Sequence, residues 1–197
     1  MSGHPPTTEL LRQEIRDHLS IVTALEALIP SVEHVSSEIC AQLERGGTVL
    51  SFGNGGSAAD AQHLVSELIG RYSRPRRALP ARSLATDPSV VTCIANDYGY
   101  DDVFARQVSA LAGSTDVVVA FSTSGESPSV VNGLAAAQKN GALTILFTGE
   151  AGTAAAQHAD RVLRAPSTVT ARVQESHILL IHLVSEYIDR WADGEAP

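Results

Sequence analysis

Aromatic residues are scarce. Phe, Trp and Tyr make up 5% of the 197 residues, too few for a platform on which nucleic-acid bases stack. Basic residues are also few: 14 Lys and Arg stand against 22 Asp and Glu, a net charge of −8. General neutralisation of a phosphate backbone needs the opposite sign, so no nucleic-acid partner is expected. The two cysteines, Cys40 and Cys93, lack metal or redox spacing; they leave a disulfide open but read more simply as reduced thiols of a cytoplasmic protein. The start, MSGHPPTTE, lacks the basic and apolar stretches of a signal peptide. No uninterrupted apolar run approaches the ~20 residues that span a bilayer, so no membrane partner is expected. No repeat period is visible. Any anionic ligand must therefore be held locally, against the average field.

What is present suits one domain with a buried core: 44% of residues are apolar and 18% charged. Residues 1–7, with Pro5 and Pro6, read as a frayed tail. Leu10, Leu11, Ile15, Leu19, Ile21, Val22, Leu25 and Leu28 then recur at helical spacing; Pro30 interrupts them, Val32, Val35, Ile39 and Leu43 resume, and Gly46-Gly47 closes the pattern. This apolar helical segment, residues 1–45, is expected to self-associate or to dock on its own sheet. Short apolar strands follow at 48–52, 82–85, 117–121, 143–147 and 162–163. They are separated by helices at 57–72, 88–95, 101–111, 127–140 and 154–158, with a long last helix at 170–191. Continuous apolar strands spaced by helices predict an α/β fold, a doubly wound, mainly parallel five-stranded sheet covered on both faces. Ligands of such sheets bind beyond the carboxyl ends of the strands.

Two turns fall on that edge. Gly53-Asn54-Gly55-Gly56-Ser57-Ala58 matches the loose dinucleotide fingerprint G-x-G-x-x-A. NAD also asks for an acidic residue about 20 positions on, at the end of the next strand. Glu67 is mid-helix and Asp87 lies 34 residues beyond Gly53, which argues against NAD. Ser122-Thr123-Ser124-Gly125-Glu126-Ser127 opens a helix with four hydroxyls and no lysine. One hydroxyl suffices to cap a helix; four, at the positive end of a helix dipole, suit a phosphate monoester. His63 and Glu67 share a helix face at i, i+4, as a surface pair or as a metal or acid–base pair. Gln174, His177 and His182 lie on the apolar last helix, where a histidine is more often a core residue than a ligand. Asn96 and Asp97 sit in NDYGYD, a turn or a loop for sugar hydroxyls. Arg71, Arg74, Arg76 and Arg77 read as a solvated loop.

Together, GNGGSAADAQHLVSEL, IANDYGYDDVFARQV, FSTSGESPSVV and PSTVTARVQESHILLIHLVSEYI resemble the phosphoheptose isomerases of the sugar-isomerase (SIS) domain superfamily, from about residue 8 to residue 190. The resemblance implies a single SIS domain of flavodoxin-like topology. It implies conversion of sedoheptulose 7-phosphate, a phosphorylated seven-carbon sugar, to D-glycero-D-manno-heptose 7-phosphate through an enediol. By position it implies Zn2+ ligands at His63, Glu67, Gln174 and His182, with Glu67 and His182 as the acid–base residues. It puts phosphate contacts at Ser122, Thr123, Ser124 and Ser127, and sugar contacts at Asn54, Gly55, Gly56, Ser57, Asn96, Asp97 and Gln174. It also implies a homotetramer with active sites between subunits. A related heptose pathway is an alternative, as is a non-catalytic SIS protein of the replication-initiator-associating type.

Two points call for structural tests. Gln174 and His182 are eight residues apart, about 12 Å along a straight helix. Both reach one small ion only if the helix is irregular or two subunits contribute. The family pattern STSGNS has Asn where this chain has Glu126, and a carboxylate beside a phosphate loop is expected to point outward.

Overall fold

Val117–Ser122 is buried at all six positions, as a central strand covered on both faces must be. Val117, Val119 and Phe121 join one core cluster while Val118 and Ala120 join another, the two-residue alternation of a pleated strand. The computed structural model describes residues 7–194; the Pro-rich start at 1–6 lies outside them. Five parallel strands form the sheet: β1 (Val49–Gly53), β2 (Ala81–Ser83), β3 (Val117–Ser122), β4 (Leu143–Thr148) and β5 (Arg161–Arg164). Their order is β2-β1-β3-β4-β5, the flavodoxin-like arrangement with its switch point between β1 and β3. Gly53 of β1 pairs in register with Phe121 of β3, so the two loops expected at the ligand edge leave the sheet side by side.

The helices are α1 (Thr7–Ala24), α2 (Ile29–Glu44), α3 (Gly56–Ile69), α4 (Pro88–Asp97), α5 (Ala105–Leu111), α6 (Pro128–Lys139) and α7 (Thr170–Ala192). α2, α3 and α7 pack one face of the sheet, α4, α5 and α6 the other. Pro30 does not break the chain. It sits in the first turn of α2 after a 3-10 turn at Leu25–Leu28, where its missing N–H costs nothing. The helix expected at 57–72 ends at Ile69, α4 extends to Asp97, and the expected 101–111 helix splits into a 3-10 turn at Tyr100–Asp102 and α5.

The N-terminal helices divide. α2 buries Val32, Val35, Ile39 and Leu43 in the core. α1 buries nothing. Polar contacts hold it to α7: the Arg172 guanidinium lies 3.1 Å from the Glu14 carboxylate, and His18 Nδ1 lies 2.7 Å from Glu175 Oε2. Leu10, Leu11, Ile15 and Leu19 are 49–62% exposed. The helical stretch Thr7–Glu44 holds a window apolar enough, by length and composition alone, to cross a bilayer. That window is built by helical periodicity rather than by an unbroken run, and its α2 half is spent on the core.

The arginine loop is not wholly solvated. Arg76 is not solvated: its side chain is 1% exposed and pairs with Asp189, itself fully buried, at 2.8 Å. Its guanidinium also donates to the carbonyls of Glu67 and Leu68, and so caps the end of α3.

Candidate active site

Beyond the β1 and β3 ends lies a cavity of about 130 Å³, lined by Asn54, Ser57, Phe121, Ser122, Thr123, Ser124, Ser127 and Val130. Both flanking loops feed helix N-termini, with Gly55 and Ser127 in the cap positions of α3 and α6. Ser127 makes no side-chain cap bond, so capping does not account for it. Ser122 Oγ accepts from Gly125 N at 3.0 Å and Ser124 Oγ from Glu126 N at 3.2 Å, which folds the loop around the α6 start. Hydroxyls and the N-terminal N–H groups and dipole of a 12-residue helix form a setting for a phosphate without any cation. Asn54 is fixed from two sides: its amide donates to Ser129 Oγ at 2.9 Å, and the Tyr100 hydroxyl donates to its carbonyl oxygen at 2.9 Å. Asp87, too far along the chain to serve as a ribose partner, accepts from Ser89 N and Val90 N as the cap of α4.

α3 leads from this cavity to a second group of side chains. His63, Glu67 and His182 each offer a ligand atom, all within 4.8 Å of one another. Glu67 Oε1 lies 3.0 Å from His63 Nε2, and His182 Nε2 lies 3.2 Å from the same nitrogen. Burial, and then the neighbouring His63, lower the pKa of His182, while Glu67 opposes the shift. The imidazole is thus biased to the neutral form, which has a lone pair to give. Two imidazoles and a carboxylate are a donor set that zinc accepts. Tyr72 stacks on His182 at 5.2 Å between ring centroids.

Gln174 is elsewhere. A Cβ built on Gly56 would lie 2.2 Å from its Nε2, so the Gln174 amide rests against the glycine turn at the α3 start. α7 is unbroken from Thr170 to Ala192. The irregular turn that would bring Gln174 and His182 together is therefore not adopted, and within one chain three of the four expected ligands converge. His177 is fully buried, edge-on to Phe121 and Phe147, with Nδ1 3.6 Å from Asp60 Oδ2; it is a core histidine. Asn96 and Asp97 end α4, where the Asn96 amide donates to the Asp97 carboxylate at 2.8 Å; they do not line the cavity. Glu126 is exposed as expected, but its carboxylate is engaged by Thr153 and Ala154. Both cysteines are free; burial, with Glu44 nearby, pushes the Cys40 thiol up to about 12. Tyr72, Tyr100 and the Arg76–Asp189 pair escape a reading by motif, because each reaches the site from a loop or a distant helix.

The chain and its fold are similar to known proteins. The SIS-domain family model matches residues 13–149. A phosphoheptose isomerase from Geobacter sp. (strain M21) is 44% identical over 183 residues, which is 92% of this chain and 95% of that protein. One from Campylobacter jejuni is 44% identical over 180 residues, 91% and 97% of the two chains. The solved phosphoheptose isomerase of Francisella tularensis superposes with a TM-score of 0.91 at 30% identity, covering 94% of this chain and 100% of that one. The enzyme from Neisseria gonorrhoeae gives 0.88 at 37%, covering 93% and 99%. With its fold, its phosphate-type loop and its likeness to these enzymes over nearly its whole length, this chain belongs to the phosphoheptose isomerase family of SIS-domain proteins.

Proposed function

We propose that the chain isomerises sedoheptulose 7-phosphate to D-glycero-D-manno-heptose 7-phosphate in the cytoplasm. The observation that carries this reading is the meeting of His182 of α7 with His63 and Glu67 of α3, the helix that starts at the phosphate-type cavity. Ser57 lines the cavity and His63 lies six residues on, about 9 Å along α3, a distance that an extended seven-carbon chain bridges.

The 7-phosphate sits among Ser122, Thr123, Ser124 and Ser127 at the α6 start. Asn54, held by Ser129 and Tyr100, offers an oriented amide to the sugar hydroxyls, and the Gly55-Gly56 turn lets the chain pass close to backbone. Glu67 removes the C1 proton and delivers it to C2 while the O1 hydroxyl proton passes to O2; one carboxylate oxygen faces His63 in the ligand cluster, which leaves the other for the carbon-bound proton. His63, Glu67 and His182 would hold a zinc ion; when bound, it supplies Lewis-acid polarisation of the carbonyl and of the developing enediolate. His182 turns Nε2 toward His63, which favours ligation over a proton shuttle at that atom. Nothing in a purely binding scaffold requires this triad.

The domain reading is a single SIS domain over 1–197 with residues 1–45 as its oligomerisation segment. A homotetramer with sites between subunits is supported by the outward apolar side of α1. Gln174, Asn96 and Asp97, set apart from the cluster within one chain, are then available to complete a neighbouring site. The test is incubation of pure protein with sedoheptulose 7-phosphate, followed by NMR. Appearance of the aldose is expected, with loss on chelation and recovery with zinc. No product would overturn the substrate, and indifference to chelation would remove the metal.

A further inference from the structure

Glu126 is where the chain departs from STSGNS, and its contacts are specific. A single oxygen, Oε1, accepts from Thr153 N at 3.0 Å, Thr153 Oγ1 at 2.8 Å and Ala154 N at 3.2 Å. Residues 149–154 thus lie against the phosphate-type loop, and other bonds hold them there. Gly149 N donates to the Thr123 carbonyl at 3.2 Å and Ala155 N to the Gly125 carbonyl at 2.9 Å. The two backbones touch: Gly125 has φ +67, and a Cβ on it would lie 2.3 Å from Gly152 Cα. On the far side, the Arg164 guanidinium donates to the Gly152 carbonyl at 2.6 Å.

We propose that Glu126 is a positioning residue, a latch that fastens residues 149–154 to the loop 122–127 and so sets how tightly the phosphate end of the substrate is held. The inference rests on the reading of that loop as the phosphate site. Charge assistance strengthens all three bonds. The carboxyl is held below its usual range by Thr153 N, then Ala154 N and the Thr153 hydroxyl, against a smaller effect of burial, so the latch is charged at neutral pH. A carboxylate near a phosphate repels it; here the charge is turned onto three donors outside the cavity lining, and its effect is to order the loop. An asparagine, shorter and uncharged, does not reproduce this.

The test is a graded series measured with sedoheptulose 7-phosphate. Glu126→Gln keeps the acceptor oxygen and loses the charge; its KM is expected to rise about threefold. Glu126→Ala loses all three bonds; its KM is expected to rise about tenfold, with kcat within about twofold of the parent. Thr153→Val added to Glu126→Ala is expected to change little more, since the two act through one contact. Thr123→Ala, which alters the cavity and leaves the latch intact, separates the two readings. Normal KM in Glu126→Ala alongside a raised KM in Thr123→Ala overturns the latch and leaves the phosphate loop standing. Normal KM in both overturns the phosphate reading itself. A loss confined to kcat, equal in Gln and Ala variants, also overturns the latch.

Discussion

At the scale of single residues, the site turns on nitrogens and oxygens that face one another. Two imidazole Nε2 atoms 3.2 Å apart cannot both carry protons, and the lowered pKa of His182 reflects its burial and that neighbour. Glu67 sits on the other side of His63. It is the carboxylate of the group, and the proposed base for the carbon-bound proton. Glu67→Gln is expected to cut kcat by about 10³-fold, while calorimetry still detects sugar-phosphate binding. Turnover like the parent's would remove Glu67 as the base.

At the scale of elements, α3 and α7 must keep their register for the cluster to exist. The Arg76–Asp189 pair serves that purpose. Asp189 on α7 accepts from Ser73 N, Arg74 N and Arg76 Nε, while Arg76 caps the last turn of α3, which carries Glu67. The same loop presents Tyr72 to His182. Breaking a buried ion pair leaves a charge unpaired, so Arg76→Met is expected to cost about 3 kcal/mol, read as a lower urea midpoint. Burial pushes the Asp189 carboxyl up, but the N–H groups of Arg74 and Ser73 and the Arg76 guanidinium outweigh it and hold the pKa down. A carboxyl lowered by folding stabilises above its unfolded pKa of about 3.9, and that contribution is lost as pH falls through the folded value. Asp189→Asn should therefore lower stability at neutral pH and flatten its decline below about pH 4. An unchanged midpoint at pH 7 would show that the pair does not hold the register.

At the scale of the whole molecule, α1 stands out. It is tied to α7 through Arg172, Glu14, His18 and Glu175, and it presents Leu10, Leu11, Ile15 and Leu19 to the outside. Replacing Leu11 and Ile15 together with Glu puts charge on that face. Sedimentation is expected to show a smaller species than the parent, with activity falling in step. An unchanged particle would mean that this face does not join subunits.

Much of this was legible in the chain. The apolar runs located all five strands within about two residues, most plainly β1, β3 and β4, because a strand buried on both faces leaves an unbroken signal. The two loops and the pair His63–Glu67 were readable because turn chemistry and i, i+4 spacing are local. Arg76 was not, since an arginine among prolines looks alike whether water or a buried aspartate receives it, and its partner lies 113 residues away. Nor was the end of α4: Asn96 and Asp97 are turn formers, yet the helix, with Ile94 packed in the core, runs through them and ends at Asp97. Amino-acid order alone thus settled the succession of elements, the sheet edge at which the two loops lie and the side chains available there. Which of them meet was decided by the packing of α3 on α7. Gln174 and His182 share a helix and look like equal candidates, but contacts 119 residues apart in the chain align His182 with His63 and leave Gln174 at the glycine turn. A helix is rigid along its axis, so with His182 turned to His63 a residue about 12 Å farther along it meets the start of α3 instead.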